Sequence, residues 1–349
     1  MVNYLRFSKD ELYRFAVEAF TKIGMPEEDT KIVADHLVTA NLRGVDSHGI
    51  IRVPYYIDGV KKGLILPKSK ITIVKESPVS ALIDGGKGFC IVIGYKAMKM
   101  AIEKAKKSGV GIVGAKNLGH VGMLAYYTKK IAEEKLIGFA FANAVARVVP
   151  WGGAEKVFGT NPLSYAFPVD EREPVVFDIA TSATAGFKVK LAALKGEKLP
   201  EGIALDKDGN PTTDPNKAFP DGAILPFGGH KGYGFSLLVE LLTSSLIGGL
   251  PSTEIPHHVV VQGGFFVMAI DPTLFREYEE YTKDVQKLIQ KIKNSKPAKG
   301  FKEVLLPGEI EERTAKERLE KGIPLDEGTL RELEQIAKEL GIEPPRPLD

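Results

Sequence analysis

The order in which helical and strand-like patterns follow one another is the feature that most constrains the fold of this chain. Helical patterns fill the first part of the sequence, strand-like and helical runs mix through the middle, and the tail returns to helix. Strict alternation of strands and helices would indicate a doubly wound parallel sheet, and this order departs from it. The sequence therefore predicts an α/β fold of the mixed α+β kind.

The N-terminal helices carry clear start and stop signals. Ser8 and Glu11 have the spacing of a capping box, and Gly24 ends the first predicted helix. Pro26 suits the first turn of a second helix, which Gly44 terminates. We expect a helical unit at this end of the chain.

The middle of the chain alternates between two periodicities before the helical tail. The predicted strands are Ile71–Val74, Ala81–Asp84, Val110–Val113, Ile137–Asn143, Val175–Ile179 and Val259–Ile270, and the predicted helices are Gly94–Lys107 and Val121–Glu134. Residues 195–222 are rich in Gly, Pro, Asp and Lys and are predicted to form a surface excursion. A second capping box, Thr329 with Glu332, opens the predicted tail helix, and Gly341 ends it.

Composition argues against several classes of protein. The 349 residues correspond to roughly two domains. Forty-seven Lys and Arg residues against 45 Asp and Glu leave a formal net charge of +2, whereas nucleic-acid binders usually carry a stronger, clustered basic excess. We therefore expect no nucleic-acid partner. Cys90 is the single cysteine, which precludes an internal disulfide and indicates a reducing compartment.

No segment has the pattern of an export signal or a membrane span. The first residues lack the apolar region of a signal peptide. The most apolar stretch, Phe235–Leu250, contains Glu240 and is too short to cross a bilayer, so we interpret it as a buried core helix. We expect a cytoplasmic protein with no membrane partner. Abundant Lys and Glu with scarce Gln suggest a thermophile.

Residues Gly109–Gly114 match the G-x-G-x-x-G pattern of dinucleotide-binding proteins, but the surroundings are wrong for it. That fingerprint follows a strand and opens a helix, so that the helix N-terminus faces the pyrophosphate. Here a predicted helix comes before the pattern and a β-branched strand lies within it. A nicotinamide, if bound, is therefore held without the usual Rossmann turn.

The segment Asp46–Arg52 combines a histidine and an arginine at helical spacing. If a third, shorter helix begins near His48, then His48 and Arg52 share one face at its N-terminus. The helix dipole there favours an anion and disfavours imidazolium. A neutral imidazole beside a guanidinium suits a base acting next to a bound carboxylate. The alternative is a capping Asp46 or Ser47 with an incidental histidine.

The other histidines differ in their surroundings. His120 lies between glycines in Asn117–Met123, at a predicted strand-to-helix turn where a ligand can approach the backbone closely. His36 falls inside a helix, and the pair His257 and His258 has no carboxylate or third histidine nearby. We interpret these three as structural, and expect no metal site.

Two further segments suit anion or cofactor binding. Phe227–Gly234 brings Lys231 on a glycine-rich loop to the start of the apolar helix, which favours phosphate or carboxylate binding over a simple turn. Phe177–Ser182 ends a strand with an acid and two hydroxyls, and Asp178 could orient a histidine.

Taken together, these motifs resemble the non-Rossmann malate/L-lactate dehydrogenase family, and most nearly its archaeal malate dehydrogenases. The family includes archaeal malate and sulfolactate dehydrogenases, and ureidoglycolate dehydrogenase, diketogulonate reductase and cyclic-imine reductases are similar. The matching segments span most of the chain in order: Asp46–Arg52, Asn117–Gly122, Val149–Gly153, Gly159–Pro162, Phe177–Ser182, Gly228–Gly234 and Pro307–Ile310.

The resemblance implies a particular organisation. Residues 1–75 and 285–349 would form one discontinuous helical domain, and residues 76–284 a mixed-sheet domain that binds the cofactor. NAD or NADP would be held in extended form near the interface of a homodimer. The substrate would be a small 2-hydroxy or 2-oxo acid, with oxidation of (S)-malate to oxaloacetate as the leading expectation.

The resemblance also implies roles for individual residues. His48 and His120 are the proton donors or acceptors of different family members; we favour His48 as the acid/base and His120 as the group polarising the carbonyl, and the reverse assignment stays open. Arg52 would hold the substrate carboxylate, with Ser47 beside it. The cofactor contacts implied are Asp178, Ile179, Ala180, Lys231, Gly232, Pro307, Gly308 and Glu309. Ala144 stands where ureidoglycolate dehydrogenase has a cofactor-contacting serine, and Asn143 is the expected substitute.

Three alternatives remain open at this stage. Within the family, the substrate could be another 2-oxo acid, such as sulfopyruvate or 2,3-diketogulonate, or a cyclic imine. A metal-dependent lyase would use His48 and His120 as ligands, although the spacing of a metal site is absent. A non-catalytic anion-binding protein would need Lys231 and its loop but not His48.

Overall fold

The computed structural model describes residues 4–257, 261 and 263–348, and its elements are as follows. The strands are β1 (Tyr4–Phe7), β2 (Thr72–Glu76), β3 (Ser80–Asp84), β4 (Val110–Lys116), β5 (Ile137–Ala142), β6 (Leu163–Phe167), β7 (Val175–Ile179), β8 (Ala204–Leu205), β9 (Ala223–Ile224), β10 (Gly264–Ile270) and β11 (Ile323–Asp326). The helices are α1 (Lys9–Lys22), α2 (Glu27–Leu42), α3 (Val53–Lys61), α4 (Cys90–Ser108), α5 (Ala125–Glu133), α6 (Gly186–Lys195), α7 (Pro215–Ala218), α8 (His230–Glu240), α9 (Tyr278–Lys293), α10 (Glu309–Lys321) and α11 (Glu327–Leu340).

A seven-stranded mixed sheet forms the centre of the molecule. Its strand order is β2-β3-β4-β10-β5-β6-β7. Only the β3–β4 pair is parallel, and the other neighbouring strands run antiparallel. Helices α4 and α5 pack against it. The predicted mixed α/β fold is confirmed, and strand β6 is one that the sequence patterns missed.

The G-x-G-x-x-G segment is part of this sheet and its helix packing. Gly109 ends α4 in the left-handed region at φ +80°. The other two glycines lie within β4, and a Cβ at Gly111 would lie 1.9 Å from the carbonyl oxygen of Ala101 on α4. The glycine lets helix and strand approach closely, so the pattern is not a dinucleotide fingerprint, as predicted.

The two ends of the chain meet in one small antiparallel ladder, in which Phe7 on β1 is opposite Ile323 on β11. The capping at Ser8 is confirmed, because its Oγ accepts a hydrogen bond of 3.1 Å from Glu11 N. One apolar core continues from these terminal elements through α2 and α4 into the sheet. The division into a discontinuous helical domain and a sheet domain stays a prediction, and its first boundary falls inside β2.

Two sequence predictions for local structure are wrong, and a third segment contains elements that were not predicted. The tail helix is capped by Asp326, whose carboxylate accepts from Thr329 N, so Thr329 is not the cap. The predicted helix at Val121 begins only at Ala125, because the turn before it contains Gly122 at φ +77°. The excursion at residues 195–222 contains β8 and α7 and contributes to a small apolar cluster with Val148.

The apolar segment Phe235–Leu250 is not the buried core helix that its composition suggested. It forms α8 and then a π-helical turn, Leu241–Leu246. Several of its large apolar side chains are exposed, from 38% for Leu237 to 64% for Leu246. The segment therefore has an apolar surface, which we call the α8 face: Phe235, Leu237, Leu238, Leu241, Leu246 and Leu250.

Within the described ranges, no helix is long and apolar enough to cross a membrane. The predicted strand Val259–Ile270 is confirmed from Gly264 onward, and its residues 259, 260 and 262 lie outside the described part of the chain, as does His258.

Candidate functional site

A cavity of about 750 Å³ collects most of the residues that the sequence singled out. It lies between the turns before α3, the turn before α5, the end of β7 and the start of α10. Of the predicted site residues, it is lined by Ser47, His48, Arg52, His120, Asp178, Ile179, Ala180, Pro307 and Gly308. Segments far apart in sequence therefore meet at one place.

The segment carrying His48 and Arg52 differs from its prediction. It forms two 3₁₀ turns, Asp46–His48 and Ile50–Arg52, and α3 begins only at Val53. The two side chains therefore do not share a face of an α-helix, and the helix-dipole argument for them does not apply. Both nevertheless reach the cavity.

A set of hydrogen bonds fixes this segment, and we call it the Asp46 clamp. Arg318 on α10 binds both carboxylate oxygens of Asp46, at 2.6 and 3.0 Å. Asn41 on α2 donates to Asp46 Oδ1 at 2.7 Å and accepts from Ile50 N at 2.7 Å. Gly49 is required by this contact, because a Cβ there would lie 2.2 Å from the amide oxygen of Asn41.

Buried side chains on α2 and α5 hold the turn that carries His120. Tyr127 donates from its hydroxyl to Val121 O at 2.6 Å, and Met123 N donates to His36 Nε2 at 3.1 Å. Gly122 packs on the His36 ring, where a Cβ would lie 2.2 Å from Cε1. Burial lowers the pKa of His36 to about 4, which keeps this ring a neutral acceptor. The structural interpretation of His36 is supported.

The imidazoles of His48 and His120 lie side by side, with ring centroids 5.2 Å apart and planes inclined by 27°. Each ring is held at Nδ1, His48 by Ser47 Oγ at 2.9 Å and His120 by Tyr56 OH at 2.9 Å. No described contact occupies either Nε2. These nitrogens are therefore free for a ligand in the cavity.

Both rings are neutral near pH 7. Burial, followed by the positive charge of Arg52, lowers the pKa of His48 to about 3. The same two causes hold the pKa of His120 well below its ordinary value, with a further contribution from His48. The site thus presents two neutral imidazoles beside a fixed cation.

Tyr56 sets the tautomer of His120. Burial holds the pKa of the Tyr56 phenol well above its usual range, so the hydroxyl keeps its proton. Among the described contacts, His120 Nδ1 is the one acceptor for that proton, and a buried hydroxyl is nearly always paired. The phenol therefore donates to Nδ1, and the ring proton of His120 resides on Nε2.

Asp178 has a different partner from the one predicted. Its Oδ2 accepts from Ala125 N, at the start of α5, at 2.7 Å. No hydrogen bond in the described chain joins it to a histidine, so Ser47 and Tyr56 orient the rings in its place. Loss of hydration in the cavity raises the pKa of Asp178, while the Ala125 hydrogen bond opposes the shift.

Four predicted residues do not line this cavity: Asn143, Lys231, Gly232 and Glu309. The Asn143 amide is bound to the backbone at Leu250 O and Gly264 N, both at 2.8 Å. Glu309 pairs with Lys293 at 2.7 Å. Lys231 is exposed at the start of α8. Their roles in cofactor binding stay predictions.

Sequence reasoning missed Tyr56, which contacts His120 from outside the cavity lining, and two residues that line the cavity. Tyr56 follows Arg52 by four positions, a spacing that could have indicated a shared surface. Arg147 and Lys190 line the cavity, yet no motif surrounds either of them. Arg147 lies on a connection between strands, where local periodicity carries no information about contacts.

Among the described residues, no third metal ligand joins His48 and His120. Across residues 4–257, 261 and 263–348, no group of three His, Cys, Asp or Glu side chains is arranged to hold a metal ion. The two histidines lie next to Arg52 in one cavity, an arrangement that suits proton exchange at a hydroxyl or carbonyl beside a carboxylate.

Comparison with known proteins agrees with this chemistry. The profile of the malate/L-lactate dehydrogenase family matches residues 7–334. A malate dehydrogenase of Pyrococcus horikoshii is 42% identical over 350 residues, covering 98% of this chain and 97% of the relative. An L-sulfolactate dehydrogenase of Methanocaldococcus jannaschii is 45% identical over 335 residues, covering 94% and 95%.

The fold is shared with solved structures of such proteins. The sulfolactate dehydrogenase structure from Methanocaldococcus jannaschii superposes with a TM-score of 0.91 at 42% identity, covering 97% of this chain and 98% of that one.

The tautomer assigned to His120 can be tested directly. In Tyr56→Phe the phenolic proton is lost, so the ring is expected to populate both tautomers instead of Nε2–H alone. Nitrogen-15 NMR of labelled histidine measures the two populations. Tyr13→Phe, on α1 away from the cavity, is the control. An unchanged His120 signal in Tyr56→Phe would show that the phenol does not set the tautomer.

Proposed function

The chain belongs to the malate/L-lactate dehydrogenase family, whose activity is that of hydroxy-acid dehydrogenases, and we propose that its substrate is (S)-malate, oxidised to oxaloacetate. The observation that supports this most directly is the pair of neutral imidazoles beside Arg52 in one cavity. A 2-hydroxy acid needs both features, since its hydroxyl loses a proton while its carboxylate needs a cation.

The family implies a nicotinamide cofactor, and the cavity is suited to one. Its volume of about 750 Å³ is in the range of small-molecule sites. Beyond the histidines, the wall is mainly apolar, with Val176, Phe177 and Leu306 beside the backbone at Asp178–Ala180 and Pro307. These residues would hold the nicotinamide and its ribose. When bound, a nicotinamide accepts or supplies the hydride at substrate C2.

The protein's own groups handle the carboxylate and the proton. Arg52 binds the substrate carboxylate with the terminal nitrogens of its guanidinium, because its Nε is bound to Ser47 O at 2.5 Å. His120, with its proton on Nε2, donates a hydrogen bond to the substrate oxygen at C2. His48 accepts the hydroxyl proton during oxidation and returns it during reduction. Apolar walls around both rings limit water at the reacting carbon.

The activity is tested by mixing the purified protein with oxaloacetate and following loss of reduced-nicotinamide absorbance, with NADH and NADPH in parallel. We expect NADH, NADPH or both to be oxidised as oxaloacetate is reduced. The ratio of the two rates shows whether NAD or NADP is the preferred cofactor. His48→Asn and His120→Asn are each expected to lower kcat by about 10²–10⁴-fold. Lys188→Gln, on α6 outside the cavity, is the control. Absence of oxidation with both cofactors would exclude oxaloacetate as substrate.

The depressed histidine pKa values predict an unusual pH profile. A group whose pKa is lowered to about 3, as for His48, stays in its proton-accepting form throughout the range above that value. Hence kcat/KM for malate oxidation should not fall with an apparent pKa of about 6.5, as it would with an ordinary histidine. Initial rates between pH 8 and pH 5 measure this, and a midpoint near 6.5 would contradict the assignment.

A second candidate is reduction of sulfopyruvate, and it is favoured by the similarity to proteins named L-sulfolactate dehydrogenase. The same site would serve, because a sulfonate differs from the second carboxylate of oxaloacetate mainly in shape. A substrate panel of oxaloacetate, sulfopyruvate, 2,3-diketogulonate and a cyclic imine carboxylate separates these possibilities by kcat/KM.

We also propose a homodimer formed through the α8 face. Contiguous exposed apolar side chains are typical of interaction surfaces. Lys231 and Gly232 lie in the first turn of this helix and outside the cavity of their own subunit, so the cofactor contacts expected of them would be made across a subunit interface. This arrangement accommodates the predicted cofactor contacts of the loop.

Light scattering coupled to size exclusion tests the dimer. We expect a mass of twice the 38.0 kDa of one chain, and a shift toward one chain in Leu238→Glu combined with Leu246→Glu, because two buried carboxylates would be unpaired. Ile73→Glu, at a side chain 50% exposed on β2, is the control. A variant that remains dimeric would place the interface elsewhere.

A further inference from the structure

Three cations in the cavity have no acidic partner in the part of the chain that the structure describes. Arg52, Arg147 and Lys190 all line the cavity, and no carboxylate lies within ion-pair distance of their side chains. Arg43 shows the contrast, because it lines the same cavity but pairs with Glu312. Arg52 and Arg147 are partly buried, and Lys190 is exposed. Partly buried charges usually have partners, so the two arginines point to an anionic ligand, and Lys190 adds a third positive charge at the same cavity.

Arg147 and Lys190 lie against the same aromatic ring. The guanidinium of Arg147 lies 5.0 Å from the centroid of the Phe219 ring, and Lys190 Nζ lies 5.2 Å from the same centroid. Gly186, the first residue of α6, leaves room for the guanidinium, since a Cβ there would lie 3.2 Å from an Arg147 Nη. The two cations therefore converge from different segments on a single aromatic ring.

The backbone of Arg147 is fixed on both sides. Its N donates to Phe158 O at 2.7 Å, and its carbonyl accepts from Ile224 N at 2.9 Å. The guanidinium thus extends from a rigid connection, which suits selective recognition of an anion better than a mobile surface lysine does.

Arg52 and Arg147 lie near each other in the cavity. Burial and the nearby charge of Arg52 both lower the pKa of Arg147. A ligand with two anionic groups would offset the repulsion between the arginines.

We propose that Arg147 and Lys190 form a second anion subsite, which binds the distal carboxylate or sulfonate of the substrate while Arg52 binds the carboxylate at C1. The inference rests on the proposed function and deepens it, because it makes a 2-oxo acid with a second anionic group the preferred substrate class. A 2-oxo acid with an uncharged distal end, such as pyruvate, leaves both cations without a partner.

Substrate selectivity tests the subsite. In Arg147→Gln, the loss of kcat/KM with oxaloacetate should exceed the loss with pyruvate by about 10- to 100-fold, the range for one charge-assisted hydrogen bond. Lys190→Gln should change the same ratio in the same direction by a smaller factor, and Arg147→Lys should restore part of it. Sulfopyruvate measured in parallel shows whether a sulfonate is accepted. Lys188→Gln, outside the cavity on α6, is the matched control.

Two results would overturn the proposal. Equal losses with oxaloacetate and pyruvate would make Arg147 a structural residue, and an unchanged ratio in both Gln variants would leave the subsite without a function. Circular dichroism and thermal unfolding of each variant identify a folding defect, and Lys190→Gln keeps the test valid if Arg147→Gln does not fold.

Calorimetric binding distinguishes failure of the subsite from failure of the proposed function. Succinate has two carboxylates and butyrate has one, and neither can be oxidised as a 2-hydroxy acid. The protein saturated with NADH or NADPH should bind succinate more tightly than butyrate, and Arg147→Gln should remove most of the difference. If no 2-oxo acid is reduced but this preference is present, the proposed function fails and the subsite stands. If 2-oxo acids are reduced but the protein does not bind succinate more tightly than butyrate, the proposed function stands and the subsite proposal is wrong.

Discussion

The ion pair between Asp46 and Arg318 is the interaction on which the functional site most depends. Asp46 lies next to Ser47 and His48, while Arg318 lies on α10, so the pair connects the two ends of the chain. The same helix begins directly after the cavity wall at Pro307 and Gly308. The Asp46 clamp thus sets the distance between the proton-transfer groups and the wall that would hold the nicotinamide. A bidentate arginine–carboxylate pair has the geometric specificity for this task.

The protonation states of the two histidines in the cavity are set by burial rather than by acidic partners. The imidazoles are kept neutral by loss of hydration and by Arg52, and hydrogen bonds between His48 and Ser47 and between His120 and Tyr56 orient them without adding charge. An anionic substrate changes this balance when it binds, because its negative charge raises the affinity of the rings for a proton. Proton uptake and substrate binding are therefore coupled, and the site is ready for reduction only when its anion is present.

Sequence patterns predicted what depends on neighbouring residues and missed what depends on distant ones. The capping of α1, strand β7 and the false dinucleotide pattern at Gly109 were all predictable, since each follows from local periodicity or a local stop signal. The histidines and Arg52 were singled out by motif. Tyr56, the partner of His120, and Arg318, the partner of Asp46, were not, because hydrogen bonds across 64 and 272 positions leave no local pattern. The exposed α8 face was misjudged because composition alone does not distinguish a buried core helix from a helix with an exposed apolar surface.

The pairing of β1 with β11 has a consequence for the synthesis of this protein. Ribosomes make chains from the N-terminus at about 5–20 residues per second, so β1, α1 and α2 emerge long before α10 and β11. During that interval β1 lacks its partner strand and Asp46 lacks Arg318, although both histidines have already been made. The nascent chain thus contains the reactive groups without the geometry that joins them, and catalytic competence arises as a late event, when the last helices dock.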